Sequence, residues 1–163
     1  MYNWVETTHV LSLILSLGML FFIDLRMLGI ALPQVPATTI AKRLKLPMLI
    51  GFGLMIITGL LLFYAIPVRT TQSVWFRIKF LLLICAAINA LVFHYRMKKS
   101  VTSWDAERIA PKNIRSCALF SLLFWTLIVI CGRFIAYDWY DCARGQHGII
   151  SVFAGCIDGQ TQF

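Results

Sequence analysis

Three groups of side chains in this sequence could do chemistry, and each suggests a different use. The first is His9, Arg77, Lys79 and Arg133. An imidazole nitrogen can ligate iron, and the cations suit carboxylates or phosphates. That set fits haem b, a quinone headgroup or a lipid headgroup. The second is Asp24 with His94 and Arg96, where a carboxylate and two basic groups could pair between helices. The third is the cysteines. Cys85, Cys117 and Cys131 lie in apolar runs and behave there as small apolar residues. Cys142 and Cys156, with thirteen residues between them, are expected to form a disulfide if their segment lies in an oxidising compartment. No spacing of His and Cys residues offers a zinc or copper site, so no metal is expected. No Ser/His/Asp set or other catalytic constellation can be drawn, so the expectation is a protein without catalytic activity of its own.

The elements that must hold these groups are dictated by the composition. Sixty per cent of the 163 residues are apolar and 13% are charged, against about a quarter charged in soluble domains. The charges are also clustered, leaving long runs with none. A bilayer selects that pattern, because an uncompensated charge in hydrocarbon costs several kcal/mol. Four runs can span: 5–32 ending at Pro33, 46–66 ending at Pro67, 74–95, and 115–137 after Pro111. Backbone groups in lipid must be satisfied within their own segment, so spans of this length are helices. Short connections make neighbours antiparallel, giving an all-α, integral membrane, four-helix up-down bundle over 1–137. Residues 138–163 follow as a tail. Residues 1–8 carry an acid and no basic residue, which does not suit a cleavable signal peptide. Gly51, Met55 and Gly59 form a stripe that suits close helix approach.

The net charge of +8 does not argue for nucleic acid. Lys42, Arg43, Lys45, Arg96, Lys98, Lys99, Arg108, Lys112 and Arg115 gather at one end of the bundle, where the positive-inside bias places cytoplasmic segments. A bacterial inner membrane is then expected, with both termini and the tail in the periplasm. Trp4, Trp75, Trp104 and Trp139 fall at segment ends, as interfacial anchors do. Depth divides the candidate residues. His9, Arg77, Lys79 and Arg133 belong to the periplasmic half, while Asp24, His94 and Arg96 belong to the cytoplasmic half. His9 and Asp24 are separated by about 22 Å along a helix. His9 and His94 therefore cannot be the two axial ligands of one haem. A methionine, or His147 folding back from the tail, would have to complete a haem at His9. A proton relay through Asp24 and His94 would lack a midplane carboxylate to continue it.

The halves resemble a tandem duplication of a helical hairpin. A shift of 70 residues aligns His9 with Lys79, Asp24 with His94, Arg26 with Arg96 and Met27 with Met97. Gly59 to Tyr64 matches Gly132 to Tyr137 at an offset of 73. Six strings carry a wider resemblance: Glu6-Thr-Thr-His9-Val-Leu, Asp24-Leu-Arg26-Met-Leu-Gly29, Thr58-Gly-Leu-Leu-Leu-Phe63, Phe76-Arg-Ile-Lys79, Asn89-Ala-Leu-Val-Phe-His94 and Gly132-Arg133-Phe-Ile-Ala-Tyr137. Together they resemble an uncharacterised bacterial family of four-helix membrane proteins, itself distantly similar to CopD-like copper-resistance domains. The resemblance implies the bundle and the importance of these polar positions. It implies no activity. The tail after Tyr137 looks like an addition to that pattern.

Two functions remain as expectations. One is a small non-enzymatic inner-membrane protein that serves as a subunit or accessory partner of a larger respiratory or periplasm-facing complex. The other is a membrane electron carrier holding haem b or a quinone at the His9 cluster. The partners expected are the lipid bilayer and other membrane or periplasmic proteins.

Overall fold

A computed structural model describes residues 2–65, 67–100, 104, 105, 107, 109–137 and 152. The elements in chain order are α1 (Tyr2–Met27), α2 (Ala37–Ala65), α3 (Pro67–Thr71), α4 (Val74–Ser100) and α5 (Lys112–Ala136). Four of them, all but the short α3, are long and apolar enough to cross a membrane. The chain is thus an all-α, multi-pass membrane bundle. The paired cysteines expected at Cys142 and Cys156, and His147, lie outside the described residues.

Hydroxyl groups within the spans are satisfied locally, as lipid demands. Ser16 donates to the Ser12 carbonyl at 2.8 Å, Thr58 to Leu54 at 2.7 Å and Thr126 to Leu122 at 2.7 Å. Several helix ends differ from the sequence expectation, and at two of them the local reason is plain. The first span stops at Met27 rather than Leu32. Gly29 adopts φ 76°, its N–H donates to Arg26 O at 3.0 Å, and the Ile30 N–H donates to Leu25 O at 3.0 Å. Those two bonds with a left-handed glycine are a helix-closing motif. The second span starts at Ala37 rather than residue 46 and carries Pro47 inside it. Its first turn is held by Asp105, which arrives from the connection between α4 and α5. The Asp105 carboxylate accepts from the Thr38 N–H at 2.8 Å and from the Thr38 hydroxyl at 2.5 Å. A carboxylate at a helix N-terminus satisfies free N–H groups and complements the helix dipole.

Packing builds two antiparallel hairpins, α1 with α2 and α4 with α5, which join along α1 and α5. The buried core concentrates at the basic end, where Ile23 and Met27 of α1 meet Ile40 of α2, Trp104, and Ile114 and Ala118 of α5. Trp104, expected at the membrane interface, is instead 2% exposed in this core. Trp4 is fully at the surface, and Trp75 packs on Phe134 with ring centroids 4.5 Å apart. Arg26 is the largest fully buried side chain among the described residues, at 1% exposure. Its Nε donates to Val35 O at 2.7 Å and its Nη2 to Glu107 O at 2.9 Å. One guanidinium therefore grips both connections at the basic end.

The hairpin of α1 and α2 closes tightly at Gly51. A Cβ added there would lie 2.9 Å from the Ser16 backbone nitrogen, so backbone itself blocks it. Gly53, two residues on, has open space. Gly51→Ala should lower stability by about 1–3 kcal/mol, because the two backbones must separate. Gly53→Ala should be neutral or slightly stabilising, since alanine favours helix. Thermal unfolding in detergent checks both; equal melting temperatures for the two variants would refute the close approach.

Candidate functional site

His9, Thr58, Gly59, Lys79, Cys131 and Gly132 occupy one depth. They lie between four and seven residues inside the ends of their spans, or about 6–10 Å below that end of the bundle. His9 of α1 lies across Gly59 of α2, where an added Cβ would be 3.4 Å from the imidazole Cε1. Lys79 of α4 lies across Gly132 of α5 in the same manner, with Nζ 3.7 Å from an added Cβ. The two residues lie at one depth on different hairpins, within electrostatic reach of each other. Lys79 also neighbours the Cys131 thiol.

The hydrogen bonding around His9 favours one tautomer. Its Nδ1 is 2.9 Å from Thr58 Oγ1. The one hydroxyl proton of Thr58 goes to the Leu54 carbonyl at 2.7 Å, with Met55 O at 3.2 Å as a second acceptor. With that proton on a carbonyl, the hydroxyl oxygen is an acceptor, and the tautomer that matches it carries its proton on His9 Nδ1. Nε2 is left with its lone pair, the arrangement of a histidine poised to ligate or to accept. Lys79 makes no hydrogen bond among the described residues, so its ammonium also has donors to spare.

Corresponding residues of the two halves occupy corresponding contacts. His9 with Thr58 and Gly59 matches Lys79 with Cys131 and Gly132, at the offsets read from the sequence. A duplicated hairpin would leave that pattern, with a histidine in one copy and a lysine in the other.

Arg77 and Arg133 are not part of this pair. Both are exposed. Arg77 donates to the Thr71 carbonyl at 3.3 Å. Arg133 donates to the Tyr137 hydroxyl at 2.6 Å and stacks over that ring, 5.0 Å from its centroid. The cluster of four expected from the sequence thus resolves into a pair at one depth within the bundle and two surface cations.

At the basic end, Asp24 is 3% exposed. The Ser121 hydroxyl of α5 lies against its carboxyl group, and Oδ2 has no hydrogen-bond partner. The expected contact with His94 or Arg96 is not made among the described residues. His94 is exposed. Arg96 donates to Asn113 O at 2.6 Å and to Cys117 Sγ at 3.3 Å, which ties α4 to α5. Asn89 reinforces that tie, donating to Cys117 O at 2.9 Å. The sequence reading gave Thr58 no contact and missed Ser121. Each lies in a long apolar run, where a lone hydroxyl is ordinarily satisfied by its own helix. The signal for Thr58 was its place beside Gly59.

The architecture defines the class, a membrane bundle of two helical hairpins with a polar pair between them. A family model covers residues 2–138, and the chain belongs to that family, the family of unknown function DUF6644. No curated protein and no solved structure matches it. Family membership agrees with the resemblance carried by the six strings and assigns no activity.

Removing the Ser121 hydroxyl leaves the buried Asp24 carboxyl without its neighbour. Ser121→Ala should cost about 1–3 kcal/mol of stability, as loss of a buried polar partner does. In a double-mutant cycle with Asp24→Leu, the two losses should be less than additive. Additive losses would show that the two side chains do not interact.

Proposed function

We propose that the chain is a small non-enzymatic inner-membrane protein that works as a subunit or accessory partner of a larger membrane complex. Its contribution there is to hold a small ligand between its hairpins. The observation that carries this reading is the pair of His9 and Lys79. An imidazole lone pair and an ammonium sit at one depth, each with unused hydrogen-bonding capacity. Such a pair can bind and orient a molecule. A chain of this size that binds a molecule without a catalytic set beside it needs a partner to make use of it. The nine basic residues at the opposite end favour a cytoplasmic position for that end. The ligand-binding pair and both termini then belong to the periplasmic side.

A second reading is a membrane electron carrier with haem b or a quinone at the same pair. It is favoured by the His9 tautomer, since a ligating histidine commonly donates its other ring N–H to a fixed acceptor. For haem the second ligand would be Lys79, at matching depth, in place of the methionine or His147 expected from the sequence. His94 lies fifteen residues further along α4, about 22 Å away in depth.

An absorption spectrum of the protein purified from its native membrane, reduced minus oxidised, separates the two. The accessory role predicts a colourless protein that co-purifies with a membrane complex. A b-type signal that disappears in His9→Ala would instead establish the carrier. A colourless protein that elutes alone after mild solubilisation would contradict the accessory role and the haem form of the carrier, leaving its quinone form alone.

A further inference from the structure

The ligand that the pair selects can be specified further, given the ligand-binding reading above. We propose that His9 and Lys79 form a binding position for a membrane-soluble quinol, entered sideways from the lipid between α2 and α4.

Polarity decides the chemical class. His9 Nε2 offers a lone pair, because the ring proton on Nδ1 is committed to Thr58. Lys79 offers N–H donors. A ligand that satisfies both must donate one hydrogen bond and accept another over a short distance. A phenolic hydroxyl does both on a single oxygen: its O–H donates to His9 Nε2, and its oxygen accepts from Lys79. An oxidised quinone carries carbonyls alone. It can accept from Lys79 but has nothing to give Nε2. A carboxylate or phosphate would face the imidazole lone pair with a second set of lone pairs. The reduced, hydroxylated headgroup is therefore the best match.

The surroundings suit a flat ring with an apolar tail. Gly59 and Gly132 keep the helix surfaces flat behind His9 and Lys79. On the side where α2 faces α4, the two helices make no extended packing contact. They are bridged by a stacked pair, Phe63 and Phe76, with centroids 5.6 Å apart and planes 20° from parallel. Phe63 lies one turn beyond Gly59 on α2, and Phe76 one turn beyond Lys79 on α4. The stacked rings therefore cover the pair on the side of the nearer membrane surface. Below them α2 and α4 present apolar side chains to lipid, Leu60 and Leu81 among them. An aromatic headgroup can enter between these helices beneath the stacked rings, leaving its chain in the bilayer.

Titration of the full-length protein in lipid nanodiscs with decyl-ubiquinol, and separately with decyl-ubiquinone, tests the assignment through quenching of tryptophan fluorescence. The quinol should bind about tenfold more tightly, the worth of one added hydrogen bond. Lys79→Met should weaken both forms. His9→Ala should remove the preference for the reduced form, and Arg133→Gln should change neither. Thr58→Val provides a milder check, since it frees the Nδ1 proton while keeping the helix shape. Its preference should shrink while its affinity for the oxidised form holds. Equal affinity for both forms, or binding indifferent to His9→Ala and Lys79→Met, would overturn the quinol assignment. A haem spectrum dependent on His9 would overturn it too, yet leave the ligand-binding reading standing. Absence of both quinol binding and haem would remove both.

Discussion

The fold depends on a cation placed where the protein is least able to hydrate it. Arg26 closes the last turn of α1 and is enclosed by the core at the basic end. A guanidinium cannot shed its charge, so every donor it turns inward requires an acceptor. Those acceptors are carbonyls of the two connections, Val35 between α1 and α2 and Glu107 between α4 and α5. Such bonds to a charged group are worth more than neutral ones, and leaving the charge unpaired would cost several kcal/mol. The connections are thereby held to α1 and, through it, to each other. Asp105 repeats the device from the other direction, as an acid of the second connection that caps the first turn of α2. Two hairpins that could slide in lipid are locked at one end.

That lock sets what happens some 26 Å away along α1. Helices are stiff rods, so fixing their basic ends in register also fixes the depth of His9 against Lys79. Glycine then adjusts the spacing. Gly51 brings α1 and α2 into backbone contact, and Gly59 and Gly132 each make room for one polar side chain. Water is scarce at that depth, so the polar atoms depend on neighbours. Thr58 serves His9, and it does so in a way that leaves one ring nitrogen open. The polar pair is thus a product of distant packing as much as of its own residues.

Much of this was legible from the sequence, because lipid imposes simple rules. Charge-free runs marked the four spans, and their polar residues could be sorted by depth from position alone. The alignment of His9 with Lys79 and of Gly59 with Gly132 was also readable, and the structure places those residues in equivalent contacts. What could not be read depends on pairing across elements. Asp105 and Trp104 belong to a polar connection, and nothing local says that one caps α2 and the other enters the core. Arg26 stood out in a quoted string, but its grip on two distant connections had no local sign. Asp24 had plausible basic partners at its depth, but helix rotation turned it toward Ser121. Rotation also turned Arg77 and Arg133 outward, although their depth matched that of His9. The early end of α1 was signalled by Gly29, whose left-handed conformation outweighed the apolar residues that follow.

The state of the His9 ring is the point on which the polar pair turns. It is directly measurable by nitrogen-15 NMR on protein labelled at histidine, with the His9 signals assigned by their loss in His9→Gln. A protonated Nδ1 and an unprotonated Nε2 are expected, the latter shifting when Lys79 is replaced by Met. A proton on Nε2, or an Nε2 signal unaffected by Lys79→Met, would contradict the arrangement of a free acceptor within reach of an ammonium on the other hairpin.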